Sequence, residues 1–124
     1  MPETSLHANF NAHLAVAVRQ FNEREFFDCH ETLEELWRSY TAPDRECLQA
    51  IIQIAVGYYH ELRDNHIGAE RLFERGLARI QRYVPECFGI DTEALSKHVR
   101  GDLERLRTGN REAVTPPLIH LQKN

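Results

Sequence analysis

The segment DRECLQAIIQIAVGYYHELR, residues 44–63, is the most hydrophobic stretch of the chain. At about 100° per residue, its apolar side chains cover most of the circumference of a helix rather than one stripe. These side chains are Leu48, Ile51, Ile52, Ile54, Ala55, Val56, Tyr58, Tyr59 and Leu62. Because a helix that is apolar nearly all round packs on several sides, we expect this segment to be the central helix of a bundle.

Four amphipathic segments surround this central helix in the sequence, at about residues 5–21, 26–40, 67–83 and 92–107. Gly76 falls in the buried arc of the fourth helix, where it permits a close approach of two backbones. No segment alternates polar and apolar residues convincingly, so no strand is predicted. The pair Pro116-Pro117 predicts an irregular tail over residues 108–124. The expected fold is all-α, a compact single-domain bundle of about five helices over residues 1–124.

The composition narrows the location and the partners of the protein. A net charge of −4 without a dense Lys/Arg run disfavours nucleic acid and anionic membrane surfaces. Three cysteines without a CxxC motif, and an N-terminus without a basic or apolar region, predict a cytoplasmic protein. Apolar residues outside the bundle are compatible with a homodimer, and any small-molecule ligand stays unidentified.

Two ionisable residues of the second predicted helix fall within its apolar arc. These are His30 and Glu34, about 40° apart on the helix. On the third helix, Gln49, Gln53 and His60 share a sector of similar width. A short turn joins the two helices, so they should form an antiparallel hairpin with these faces together. Since buried ionisable groups need partners, we expect a buried polar cluster of these five residues.

Three further residues complete the candidate site at its rim or in support of it, namely Glu31, Trp37 and Arg45. The simplest interpretation of the cluster is structural, because two amides, two imidazoles and a carboxylate can satisfy one another by hydrogen bonding. Binding of a small ligand, or metal-free acid–base chemistry, is a second interpretation. No nucleophile stands in the same helical sector to support the acid–base chemistry.

A metal-dependent hydrolase is the alternative. His30, Glu34 and His60 would supply two imidazoles and a carboxylate, the protein ligands of an open catalytic site for a divalent metal such as zinc. A metal-bound water would then act as the nucleophile. The sequence from His30 to Glu34 is HExxE, however, and so lacks the HExxH pattern of metalloproteases.

Several separated motifs resemble the DUF309 family. They are Phe21-Asn22, Phe26 to Glu31 with Glu34 and Trp37, Arg45 with Leu48-Gln49 and Ile52-Gln53, His60, Asn65 with Gly68-Ala69 and Leu72, and Gly89-Ile90-Asp91. The resemblance covers about residues 21–106. It implies a small all-helical bundle without an established activity, with the polar cluster at signature positions of the family. Arg24 departs from the family pattern, which usually has Gly there. If this turn needs a positive φ, Arg24 is strained.

Overall fold

The computed structural model describes residues 2–122, with side chains from residue 9 onward. Five helices span α1 Pro2–Asn22, α2 Phe26–Ser39, α3 Glu46–Leu62, α4 His66–Ile80 and α5 Thr92–Arg107. Single 3₁₀ turns occupy Pro43–Arg45, Gln81–Tyr83 and Arg111–Ala113. The predicted all-α fold with five helices is confirmed. Over residues 2–122, no helix is both long and apolar enough to cross a membrane.

A short hairpin between α4 and α5 is the element that the sequence does not predict. Strands β1 Glu86–Cys87 and β2 Ile90–Asp91 pair antiparallel, and Ile90 also forms an antiparallel bridge with Leu121. The expectation of no strand is wrong here, because strands of two residues are too short to show an alternating pattern. Asp91 then caps α5 by accepting a hydrogen bond from the Ala94 amide at 2.9 Å.

The central position predicted for the third helix is confirmed. Most of α3 is buried, namely Cys47, Leu48, Ala50, Ile51, Ile52, Ile54, Ala55, Gly57 and Tyr58. Gly76 of α4 approaches this helix closely, as predicted: a Cβ there would lie 2.8 Å from Cγ1 of Ile54 and 3.2 Å from the carbonyl oxygen of Ala50. The absence of a side chain at Gly76 therefore sets the spacing of α3 and α4.

A buried carboxylate joins α3 to α5 and to the C-terminal segment. Asp102 is 0% exposed. The Tyr58 hydroxyl donates to its Oδ2 at 2.7 Å, and Arg105 Nη1 donates to its Oδ1 at 2.7 Å. His98 Nε2 lies 3.2 Å from the same carboxylate and 2.5 Å from the Thr115 carbonyl oxygen. Because both partners of His98 Nε2 are acceptors, this nitrogen carries the hydrogen.

The tail predicted at residues 108–124 is irregular apart from the 3₁₀ turn and the bridge at Leu121, as far as residue 122. Asn22 at the end of α1 holds it: Asn22 Nδ2 donates to the Ile119 carbonyl at 3.0 Å, and the Ile119 amide donates to Asn22 Oδ1 at 2.7 Å. This reciprocal pair buries the Ile119 side chain against the bundle.

Replacing Arg24 with glycine is expected to stabilise the protein. Arg24 has a φ of 65°, the left-handed conformation considered above, which costs a non-glycine residue about 1 kcal/mol. We expect Arg24→Gly to raise the free energy of unfolding by up to about 1 kcal/mol in urea titrations. The control is Arg71→Gly, an exposed position within α4, where glycine should lower that free energy by about 1 kcal/mol. A loss of stability in Arg24→Gly would show that the turn is unstrained.

Replacing Tyr58 with phenylalanine is expected to destabilise the protein at neutral pH and to reduce its sensitivity to alkali. Burial and the nearby Asp102 carboxylate raise the pKa of Tyr58 above its ordinary value of 10.0. Wild-type stability should therefore fall as the pH rises above about 10, where only the unfolded chain loses this proton. Tyr58→Phe should cost about 1–3 kcal/mol at pH 7 and flatten this alkaline decline.

Urea titrations at several pH values measure both effects. The matched control is the neighbouring Tyr59→Phe, whose hydroxyl makes no hydrogen bond to the described residues. It should leave the free energy of unfolding at pH 7 nearly unchanged. Equal losses in the two variants would exclude the Asp102 hydrogen bond as the cause.

Candidate functional site

Each of the five residues of the predicted cluster is half-buried, His30 and Glu34 on α2 and the other three on α3. His30 and Glu34 retain 22% and 37% of their side-chain exposure. The prediction of a buried cluster is therefore wrong. The helical wheel placed His30 and Glu34 in the apolar arc of α2, but both side chains stay partly exposed to solvent.

The His30–Glu34 pair forms within α2. His30 Nε2 lies 3.3 Å from Glu34 Oε1, and His30 Nδ1 lies 3.1 Å from the Phe27 carbonyl oxygen. Both partners are acceptors, so only the imidazolium form makes the two bonds together. Arg38 Nη2 lies 3.3 Å from the other oxygen of Glu34. Glu34 thus lies between the His30 ring and the Arg38 guanidinium.

A second group of contacts comes from α4 and involves two residues that the sequence analysis did not select. Arg79 Nε donates to Gln53 Oε1 at 3.2 Å, and Arg79 Nη1 forms an ion pair with Glu46. Gly76 is the sequence feature that could have pointed to Arg79 and Glu46. The close approach that it permits brings the next turn of α4 against the first turns of α3. The helices α3 and α4 run antiparallel, and the opposite charges of Glu46 and Arg79 face each other between them.

The two remaining residues of the predicted cluster, His60 and Gln49, form no hydrogen bond with these groups in the described part of the chain. His60 Nδ1 lies 3.4 Å from Asn65 Nδ2 at the end of α3, and Gln49 makes no side-chain hydrogen bond to the described residues. His60 therefore does not join His30 and Glu34 as a metal ligand. Throughout the described part of the chain, no group of three or more His, Cys, Asp or Glu side chains is placed to hold a metal ion.

A groove of about 380 Å³ opens where α2, α3 and α4 meet. We call it the Trp37 groove, and its lining residues are Glu34, Trp37, Arg38, Glu46, Gln49 and Arg79. Two carboxylates and two guanidinium groups give it no net charge. Of the sequence-predicted residues, Glu34, Gln49 and Trp37 line this groove, whereas His30, Gln53 and His60 lie outside its lining.

Trp37 has an unusual hydrogen-bonding state. Its indole Nε1 is buried and, alone among the buried side-chain nitrogen and oxygen atoms of the described residues, it has no hydrogen-bond partner. Such a group costs about 1–3 kcal/mol of desolvation. The guanidinium carbon of Arg45 lies 4.3 Å from the ring centroid, and Arg45 Nη1 donates to the Trp37 carbonyl at 3.3 Å. Arg45 therefore supports the indole, while Glu31 is exposed and lies outside the groove lining.

A second, shallow depression of about 500 Å³ lies at the α3–α4 turn against residues 109–112. His66 Nδ1 lies 2.6 Å from Glu61 Oε1 there, and both side chains are largely buried. The sequence analysis did not select this pair, because the two residues belong to different helices. Asn65 caps α4 by accepting from the Gly68 amide at 3.0 Å. The pair therefore stabilises a helix–helix turn, and no nucleophilic side chain lines the depression.

The comparisons with known proteins agree with the resemblance in the sequence, over a shorter range. Residues 14–72 match the family model described as "Domain of unknown function (DUF309)". The "Uncharacterized protein YpuF" of Bacillus subtilis (strain 168) is 31% identical over 100 residues, 78% of this chain and 58% of that protein. The chain thus spans less than two thirds of the length of this relative. Neither description names an activity, and the matched range contains all five cluster residues. Over residues 14–72, the chain therefore matches the DUF309 family.

Proposed function

We propose that the protein is a binding module, and that the Trp37 groove binds a small polar ligand carrying both hydrogen-bond donors and acceptors. The observation that carries this proposal is the buried Trp37 Nε1 without an acceptor. Beside it, the Gln49 amide lines the groove without a hydrogen bond to any described residue. Small-ligand sites combine an apolar wall with a few polar groups of this kind.

The chemistry of the groove indicates the class of ligand. An indole N–H is a donor only, so it needs an acceptor oxygen, whereas the Gln49 amide both donates and accepts. Glu34 and Arg79 add one charge of each sign, and the groove as a whole is neutral. These features favour a zwitterion or an amide, such as a free amino acid or a short peptide. The ligand oxygen reaches Nε1 only after a covering side chain rotates.

The metal-dependent hydrolase has no support in the geometry, because His60 lies apart from His30 and Glu34. Metal-free acid–base chemistry has weaker support than binding. His30 and Glu34 are near each other, but His30 is outside the lining of the groove and no serine, threonine or cysteine lines it. Binding needs no reacting group, and so fits the residues that are present.

We also propose a cytoplasmic location, because all three cysteines are free thiols and such thiols persist in a reducing compartment. The acidic net charge of −4 supports partners other than nucleic acid and anionic membranes. A homodimer stays a prediction, supported by exposed apolar side chains such as Phe27 and Ile67, and light scattering of the purified chain would test it.

Replacing Gln49 with leucine distinguishes a binding groove from a structural network. If the groove serves binding, Gln49→Leu should leave the melting temperature unchanged or raise it, because no internal hydrogen bond is lost and apolar surface is gained beside Trp37. The control is Gln53→Leu on the same helix, which removes the acceptor of Arg79 and should cost about 1 kcal/mol. A loss of 2 kcal/mol or so in Gln49→Leu would favour the structural network instead.

Trp37 is the single tryptophan of the chain and so reports on its own groove. We expect at least one of the common free amino acids or simple dipeptides to change its fluorescence in a saturable manner and to raise the melting temperature with concentration. The response should be lost in Gln49→Leu and kept in Gln81→Leu, an exposed position outside the groove lining. No saturable response across this panel at millimolar concentrations would contradict the proposed ligand class.

A further inference from the structure

The four charged residues that line the groove are already paired with other residues of the chain. Both oxygens of Glu34 have a partner, because His30 Nε2 lies 3.3 Å from Oε1 and Arg38 Nη2 lies 3.3 Å from Oε2. Arg79 of α4 forms an ion pair with Glu46 of α3. A ligand therefore does not need to supply a counter-charge to any of these four side chains.

The two uncharged residues of the lining have polar groups without partners among the described residues. Trp37 Nε1 is a buried donor without an acceptor, and the half-buried Gln49 side chain makes no hydrogen bond there. Together they offer a ligand N–H donors from the indole and the amide, and one amide oxygen as an acceptor. A ligand that satisfies both residues must therefore combine an acceptor oxygen with a donor N–H.

Arg45 holds the Trp37 ring against the start of α3, close to Gln49. The guanidinium carbon of Arg45 lies 4.3 Å from the ring centroid, and its Nη1 donates to the Trp37 carbonyl at 3.3 Å. Gln49 follows Arg45 by four residues, which is one helical turn or about 6 Å along the axis. Both Trp37 and Gln49 line one groove of about 380 Å³, so a single small ligand can contact both.

We propose that the group recognised in this groove is an uncharged primary carboxamide, as in the side chains of asparagine and glutamine, an assignment that rests on the proposed binding function. One edge of such a group presents a carbonyl oxygen beside an N–H, and this edge pairs with the Gln49 amide through two hydrogen bonds. The second lone pair of the same oxygen accepts from Trp37 Nε1. A trans peptide bond has its oxygen and its N–H on opposite edges, and so cannot form this pair.

A carboxylate of the same size is the ligand that the groove should reject. It has no N–H for the Gln49 oxygen, and a site built to hydrogen-bond an N–H discriminates against an analogue without it. The two cations of the lining, Arg38 and Arg79, are already paired with carboxylates, so the added negative charge gains no free partner. We therefore expect the amide to bind at least about 10-fold more tightly than the acid.

Titration of the wild-type chain with L-glutamine and L-glutamate, followed by Trp37 fluorescence and by the melting temperature, tests the assignment. L-asparagine and L-aspartate form a second matched pair. In any pair that binds, the amide should bind at least about 10-fold more tightly than the acid. Glycyl-glutamine identifies the source of the carboxamide: tighter binding than free glutamine would assign it to a peptide, and weaker binding to a free amino acid.

Two variants on α3 introduce the same charge at neighbouring turns. Gln49→Glu removes the Nε2 donor and should weaken the binding of the amide at least about 10-fold. Gln53→Glu lies outside the groove lining, keeps an acceptor for Arg79 Nε, and should leave that binding nearly unchanged.

The outcomes separate this assignment from the binding function on which it rests. If amide and acid bind equally well, the carboxamide assignment is overturned while the groove stays a binding site. If no compound binds, both are overturned. These comparisons use the wild-type chain, so they decide the question even if Gln49→Glu does not fold.

Discussion

The close approach of α3 and α4 is the constraint on which the rest of the structure depends. Two glycines make it possible, because Gly76 lies against Ile54 and Ala50 while a Cβ at Gly57 would meet the Phe73 ring at 2.5 Å. At this spacing α4 covers one side of α3, and its Arg79 lines the groove together with residues of α2 and α3. The same spacing brings Arg79 within reach of Gln53 and Glu46. The hydrophobic centre and the polar groove therefore share one geometric origin.

The helices could be predicted from the sequence, whereas most of the contacts between them could not. Apolar spacing identified α3 as the central helix, and Gly76 as a point of close approach, because both are local properties of one helix. Arg79 was missed because its partners depend on the register of two helices, which periodicity does not report. His30 and Glu34 were predicted to be buried but are partly exposed, because a helical wheel does not say whether a neighbouring helix covers that side.

Asp102 is a charged residue whose burial depends on a contact between helices and not on the pattern of its own helix. A carboxylate in a polar helix is normally exposed, so nothing in the pattern of α5 separates Asp102 from its neighbours. It is buried because Tyr58, 44 positions earlier, reaches it from α3, and because Arg105 and His98 lie one turn away on either side. The i, i+4 and i+3 spacings of these last two residues are a local signal. The contribution of Tyr58 appears only in the folded chain.

Asp102 and Trp37 both carry a buried polar group, but only that of Asp102 has hydrogen-bond partners. This difference bears on the function of the Trp37 groove. The chain surrounds a fully buried carboxylate with the Tyr58 hydroxyl, the Arg105 guanidinium and the His98 imidazole, so its packing can satisfy a demanding polar group. Yet the Trp37 indole N–H has no acceptor among the residues that the structure describes, although Glu34, Glu46 and Gln49 line the same groove. Folded chains leave few buried polar groups unpaired, so each one calls for an explanation. An acceptor supplied by the proposed ligand would partner Trp37 Nε1, and the Gln49 amide lines the same groove.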